Sequence, residues 1–199
     1  MPLPFLRPFT LAAALCTATA LAQTPGQAAP DFALTDTAGK AVKLSDYRGK
    51  YVVLEWTNPD CPFVRNQYNK RSMQAQQKRW TGQDVVWVTI NSTNRIHPEF
   101  KTPAAMASWM KAQEGAPAVL TVDGESAVAR TYGVKTTPEM YVIDPAGKVV
   151  YAGAIDDGRS ARHDPLAAHN FVQAALTQVK AGQPVAQPSS APYGCSLKY

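Results

Sequence analysis

The sequence predicts an α/β domain, and three observations carry that expectation. Tyr51-Val52-Val53-Leu54-Glu55-Trp56 is an almost unbroken β-branched and aromatic run, the composition of a central strand buried on both faces. After the turn Thr57-Asn58-Pro59-Asp60 a helix opens at Pro62, where the first helical position tolerates a missing N–H. Asp84 to Ile90 then repeats the buried-strand composition, so strand, helix and strand alternate as a parallel crossover requires.

The remaining elements follow in order. Gln23 to Pro30 is a small and polar lead-in, and Ala33 to Leu44 reads as a hairpin turning at Asp36-Thr37-Ala38-Gly39. The helix from Pro62 is expected to run to about Trp80. Asn91 to Pro103 is a polar loop, and Pro103 to Glu114 a helix with Met106, Trp109 and Met110 inward. Val119 to Val122 reads as a strand and Asp123 to Tyr132 as a short helix stopped by Gly133. Met140 to Ile143 and Lys148 to Ala152, around Asp144-Pro145-Ala146-Gly147, form an expected antiparallel edge hairpin. Asp164 to Lys180 is expected as the last helix, stopped by Gly182, and residues 183–199, with Pro184, Pro188 and Pro192, as an extended, mobile tail.

Composition narrows the function classes. The chain has 199 residues, 45% apolar and 18% charged, which suits one packed core and not a disordered polymer. Three cysteines exclude a disulfide scaffold, and no apolar run is long enough to span a bilayer. The net charge of +5 comes from scattered Lys and Arg, so no nucleic-acid partner is expected.

Residues 1–22 read as a secretory signal: Arg7, the apolar and small stretch Leu11 to Leu21, and an A-x-A site at Ala20-Leu21-Ala22. An exported protein, periplasmic or secreted, is therefore expected. Leu15 before Cys16 is too large for a lipoprotein signal, so no membrane anchor is expected. The mature chain then divides into a domain over 23–182 and the tail 183–199, with two cysteines, Cys61 and Cys195, in an oxidising compartment.

Cys61 is the leading candidate for chemistry. It stands at a helix start, where free N–H groups and the positive dipole end favour a thiolate nucleophile. Cys195 rides the tail, whose thirteen residues from Gly182 reach roughly 40 Å when extended, enough to cross a domain of this size. Three readings of Cys195 stay open: a redox-active partner of Cys61, a static staple, and a free or intermolecular thiol. Arg65, one turn on, can help hold a thiolate, and Trp56 and Phe63 can offer an apolar landing surface. His97, His163 and His169 show no metal-ligand spacing, and neither a metal nor an organic cofactor is expected. Asp156-Asp157 reads as a solvated turn.

The buried strand, Cys61-Pro62 at a helix start, and the late run Tyr132-Gly133-Val134-Lys135-Thr136-Thr137-Pro138 before a hairpin resemble the thioredoxin superfamily. With the lead-in Ala29-Pro30-Asp31-Phe32, the resemblance is to its redoxin and peroxiredoxin-like branch, over about residues 28 to 180. It implies a thioredoxin-like fold with a central mixed sheet flanked by helices. It also implies a cis bond before Pro138, facing Cys61, and a proton-moving buried carboxylate at Glu55. Thr137 and Pro62, with Phe63, Trp56 and Arg65, are the implied surroundings of a bound substrate. Two departures stand out: Val64 occupies the place of a second C-x-x-C cysteine, and Asn58 occupies the place three before the cysteine where peroxiredoxins carry Thr.

The expected function is an exported thiol-based oxidoreductase. Cys61 attacks a disulfide-bearing protein or a small peroxide, Cys195 resolves the product, and an external thiol reductant reopens the pair. The alternatives are a peroxidase proper, and a non-catalytic binding module whose groove near Pro138 holds an extended partner and whose Cys61–Cys195 bond is structural.

Overall fold

The computed structural model describes residues 23–199; the expected signal segment and Cys16 lie outside them. In chain order the elements are β1 (Ala33–Thr35), β2 (Ala41–Lys43), β3 (Tyr51–Trp56), α1 (Pro62–Asn69), α2 (Ser72–Thr81), β4 (Val85–Asn91), α3 (Pro103–Ala112), β5 (Val119–Val122), α4 (Ala127–Tyr132), β6 (Thr136–Thr137), β7 (Glu139–Ile143), β8 (Val149–Gly153), α5 (Phe171–Lys180) and β9 (Cys195–Ser196).

Five strands form a mixed sheet in the order β5-β4-β3-β7-β8. Its centre is β3, parallel to β4 and antiparallel to β7. Successive side chains of a strand point to opposite faces, so β3 feeds two cores. Val53 packs with Val64, Tyr68, Met73, Trp80 and Leu176 beneath the helices of one face. Val52, Leu54 and Trp56 pack with Phe32, Tyr132 and Tyr141 on the other. Burial on both sides is why the run carries no alternating polar residues, apart from Glu55.

Several expectations needed correction. The helix expected over 62–80 is two helices, because Arg71 takes a left-handed backbone (φ 63) and turns the chain. The Gln74 side chain then donates to the Tyr68 carbonyl at 2.9 Å, a bond that a continuous helix would have supplied. The last helix begins at Phe171, seven residues later than expected, where the Asn170 side chain caps it by accepting from the Gln173 N–H at 2.8 Å. The helix after β5 likewise starts late: Asp123 accepts from the Ala127 and Ala129 N–H groups at 2.9 and 3.1 Å. In the late hairpin only β8 is an edge; β7 is interior, paired to β3.

The largest difference concerns the tail, which is extended but held to the domain along its length. The Ala152 N–H donates to the Pro188 carbonyl at 3.1 Å, and the Ser190 Oγ lies 2.6 Å from the Tyr151 hydroxyl. Further on, β9 pairs antiparallel with β6, Leu197 is buried, and the Asn94 N–H donates to the Lys198 carbonyl at 2.8 Å. Two glycines permit the approach. A Cβ on Gly153 would fall 2.3 Å from the Ser190 carbonyl oxygen, and one on Gly194 would fall 2.0 Å from that of Thr137. Proline content signalled extension, and the docking contacts were invisible in it.

Candidate active site

The end of β3 delivers the chain into a braced turn. Asn58 organises it: its carbonyl accepts from the Cys61 N–H at 3.0 Å, its Oδ1 from the Asp60 N–H at 2.9 Å, and its Nδ2 donates to Glu99 at 2.7 Å. Cys61 then caps α1, with Pro62 as the first helical residue. Arg65 is committed to the same turn, donating to the Pro59 carbonyl at 2.8 Å and pairing with Asp60 at 3.1 Å. Its expected place at the thiol is therefore corrected: it braces the loop in front of Cys61.

Cys61 is 1% exposed, and its Sγ donates to the Thr137 carbonyl at 3.1 Å. The Thr137–Pro138 peptide bond is cis, as the resemblance implies. Thr137 is itself buried and stands opposite Cys195 in the β6–β9 pair. This register brings Cys195 into the cluster that holds Cys61, packed against it; both are free thiols. Burial first, then the hydrogen bond and charge interaction with Cys61, push the Cys195 thiol up to about 12. At neutral pH it is therefore a protonated thiol beside the helix-start cysteine.

Phe63 is half-buried, its ring 5.7 Å from that of Tyr193, so it packs on the tail. Trp56 is corrected outright. It is fully buried on the sheet face opposite the α1 helix, wedged between Tyr132 and Tyr141 at 5.3 and 5.5 Å, and donates to Ser92 at 3.1 Å. The strand alternation that turns Val53 and Glu55 one way turns Trp56 the other, which removes it as a landing surface.

Glu55 is fully buried in the central strand and accepts four side-chain bonds: Tyr68 at 2.8 Å, Gln77 at 3.0 Å, Trp87 at 2.7 Å and Thr89 at 2.9 Å. Burial raises its affinity for a proton, and these donors offset part of that rise. A second buried acid, missed in the sequence, follows Pro138: Glu139 accepts from the Lys135 and Thr136 N–H groups at 2.9 and 3.0 Å, fixing the loop that carries Thr137.

Asp156 was expected in a solvated turn and is 1% exposed. Its Oδ2 accepts from Gln67 of α1 at 2.6 Å, and its Oδ1 from the Gly158 N–H at 2.9 Å and from the Tyr193 hydroxyl. The His163 Nε2 lies 3.2 Å from Oδ2. Burial and this carboxylate keep the Tyr193 phenol protonated. Its bonds to Gln67 of α1 and to a Tyr two residues before Cys195 join this acid to the site, and sequence separation hides both. Among the described residues no cluster of three His, Cys, Asp or Glu is placed to hold a metal.

Comparison with known proteins agrees with this geometry. The chain is 32% identical over 132 residues to the thiol-disulfide oxidoreductase ResA of Bacillus subtilis, covering 63% of this chain and 64% of ResA. It is 34% identical over 136 residues to peroxiredoxin-2 of Cricetulus griseus, covering 61% and 65%. The chain thus spans just under two thirds of the length of these curated relatives. Among solved structures, a hypothetical protein from Sinorhizobium meliloti superposes with a TM-score of 0.78 at 25% identity, over 90% of this chain and 96% of that one. The thioredoxin domain of a thiol-disulfide oxidoreductase from Bacteroides vulgatus superposes at 0.55 with 16% identity, over 66% and 89%, a likeness of fold. The family model described as AhpC/TSA matches residues 25–152, from the lead-in through the cysteine turn and cis proline to β8, and the chain belongs to that family, in the redoxin branch of the thioredoxin superfamily.

Proposed function

We propose that the chain is an exported thiol–disulfide oxidoreductase working through Cys61 and Cys195. The observation that carries this reading is the Cys195 thiol set against the Cys61 thiol by the β6–β9 register, with Cys61 at a helix start. With the tail lifted from Cys61, the Cys61 thiolate attacks one sulfur of a substrate disulfide, forming a mixed disulfide and expelling the other sulfur as a thiolate that takes a proton. Cys195 then loses its proton, attacks the Cys61 sulfur and displaces the bound thiol. The substrate gains two electrons, the protein holds a Cys61–Cys195 disulfide, and an external thiol reductant returns it to the dithiol. Cys61 is the attacking group because it stands at the N-terminus of α1, whereas Cys195 lies on the two-residue strand β9 with no helix behind it. Thr137 and Pro138 form the wall against which the reacting sulfur sits, Pro62 and Phe63 the flank of the tail, and Glu55 a buried proton store behind them.

Export rests on residues 1–22 as a signal; no helix of the described residues is long and apolar enough to cross a membrane. The domain division over 23–182 and 183–199 is retained in a modified sense, with the tail as a docked part of the active unit. A Cys195→Ser variant tests the reading: incubated with oxidised protein or peptide disulfides it should accumulate a Cys61 mixed disulfide, seen as an added mass on that cysteine. Failure to trap any adduct, with native protein equally inert, would favour the non-catalytic module.

A peroxide is the second substrate reading. Thr57, four residues before Cys61, has a buried hydroxyl with no hydrogen-bond partner, and the likeness to a peroxiredoxin points the same way. Here the Cys61 thiolate takes one peroxide oxygen to become a sulfenic acid and the remainder leaves as an alcohol or water; Cys195 then displaces water to form the same disulfide.

A further inference from the structure

We propose that Asp156 is a positioning residue for the resolving cysteine: by holding the Tyr193 hydroxyl it keeps the tail docked and Cys195 at Cys61. This rests on the Cys61–Cys195 reading above and deepens it. The cluster joins three segments distant in sequence: α1, the connection from β8 to α5, and the tail. Gln67 is on α1, six residues after Cys61; Asp156 and Gly158 follow β8; His163 lies in the loop before α5; and Tyr193 is two residues before Cys195. The Tyr193 ring is also clamped, by Phe63 on one side and His163 at 6.1 Å on another. Asn66 extends the ring of contacts by donating to the His163 carbonyl at 3.0 Å.

A carboxylate this buried is retained at a cost unless its oxygens are filled, and here both are. Breaking a hydrogen bond to a buried carboxyl oxygen leaves a polar group that water cannot reach, so the Tyr193–Asp156 bond anchors the tail in addition to its short backbone pairs. It does so close to the residue that must react. The β6–β9 pair is only two residues long, too short to hold its register unaided. Gly194 lets the chain lie on the Thr137 carbonyl, and Tyr193 fixes where that approach happens. The latch therefore does two things together: it raises the local concentration of the Cys195 thiol at Cys61, and it keeps Cys61 covered at 1% exposure.

Gln67 supplies a distinguishing variant. Its Oε1 is buried without a partner, so in Asp156→Asn the Gln67 amide can turn over and accept from the new amide N–H, while the Asn oxygen still accepts from Tyr193 and Gly158. In Asp156→Ala no such repair exists. Tyr193→Phe removes only the hydroxyl and leaves the packing on Phe63.

The test is the equilibrium between the Cys61–Cys195 disulfide and dithiothreitol, read together with the iodoacetamide alkylation rate of Cys61 in the reduced full-length mature protein. Tyr193→Phe and Asp156→Ala are expected to lower the disulfide-forming equilibrium constant about tenfold, the size of one lost buried hydrogen bond, and to speed Cys61 alkylation by a similar factor. Asp156→Asn is expected within about threefold of native on both readouts. A merely structural role would move the melting temperature and neither readout. If Asp156→Ala does not fold, Tyr193→Phe decides alone. Values within twofold of native in the folded variants overturn the proposal. If native protein forms no Cys61–Cys195 disulfide at any dithiothreitol ratio, the proposed function fails, whereas the latch is still judged by Cys61 alkylation: faster in Tyr193→Phe supports it, unchanged overturns it.

Discussion

Thr137 and Cys195 stand directly opposite each other in the two-residue pair of β6 and β9, and the carbonyl of the same Thr137 accepts the Cys61 thiol at 3.1 Å. One residue, immediately before the cis proline, thus organises both sulfurs. The tail strand lies where it covers Cys61, so events at Cys61 and the docking of the tail are linked.

Gly194→Ala tests that linkage. With φ 135 and a Cβ that would fall 2.0 Å from the Thr137 carbonyl oxygen, the substitution forces the tail off its register. The expected outcome is Cys61 alkylation at least tenfold faster than native, with melting of the core little changed because, apart from Leu197, the buried residues of both cores precede the tail.

Glu55→Gln tests the buried acid. Burial raises the folded-state proton affinity of Glu55 above its unfolded value of 4.5. The folded state therefore binds the proton more tightly, and the contribution of this group to stability is fully present below pH 4.5 and is lost as pH rises through the raised folded value. In Glu55→Gln, urea midpoints should fall less between pH 4.5 and 7.5 than in native protein. The amide can serve the same neighbours, with its oxygen accepting from Gln77, Trp87 and Thr89 and its N–H groups donating to the Tyr68 oxygen. An unchanged slope would mean that Glu55 does not titrate differently on folding.

Trp56→Ala separates core from site. The indole is fully buried between Tyr132 and Tyr141, so its removal should cost about 3–5 kcal/mol in denaturant unfolding. Cys61 reactivity in the protein that remains folded should stay within about twofold of native. A selective effect on Cys61 chemistry without loss of stability would restore Trp56 to the substrate surface.

Much of the fold was legible because it is written in local composition: β3 and β4 as unbroken apolar runs, the Pro at the start of α1, the turn-bounded hairpin of β7 and β8. Cys61 was legible for the same reason, as punctuation at an element end, whereas Pro138 was reached through the family resemblance. What escaped was decided by contacts distant in sequence. Arg71 breaks a helix that its neighbours would continue, and Asp156 turns inward because Gln67 and Tyr193 meet it. Trp56 was assigned by nearness in sequence to Cys61, although the two-residue period of a strand sends it to the opposite face. The tail was read from its prolines, which report backbone extension and carry no signal of where an extended chain will lie.

The most direct measurement is mass spectrometry of alkylated native protein after titration with graded dithiol and then with a disulfide or hydrogen peroxide. A two-electron step that links Cys61 to Cys195 under oxidant, and reopens under mild dithiol, is the expected result. Cysteines that are never linked, with Cys61 alkylating no faster than a small free thiol even after the tail is displaced in Gly194→Ala, would contradict the account.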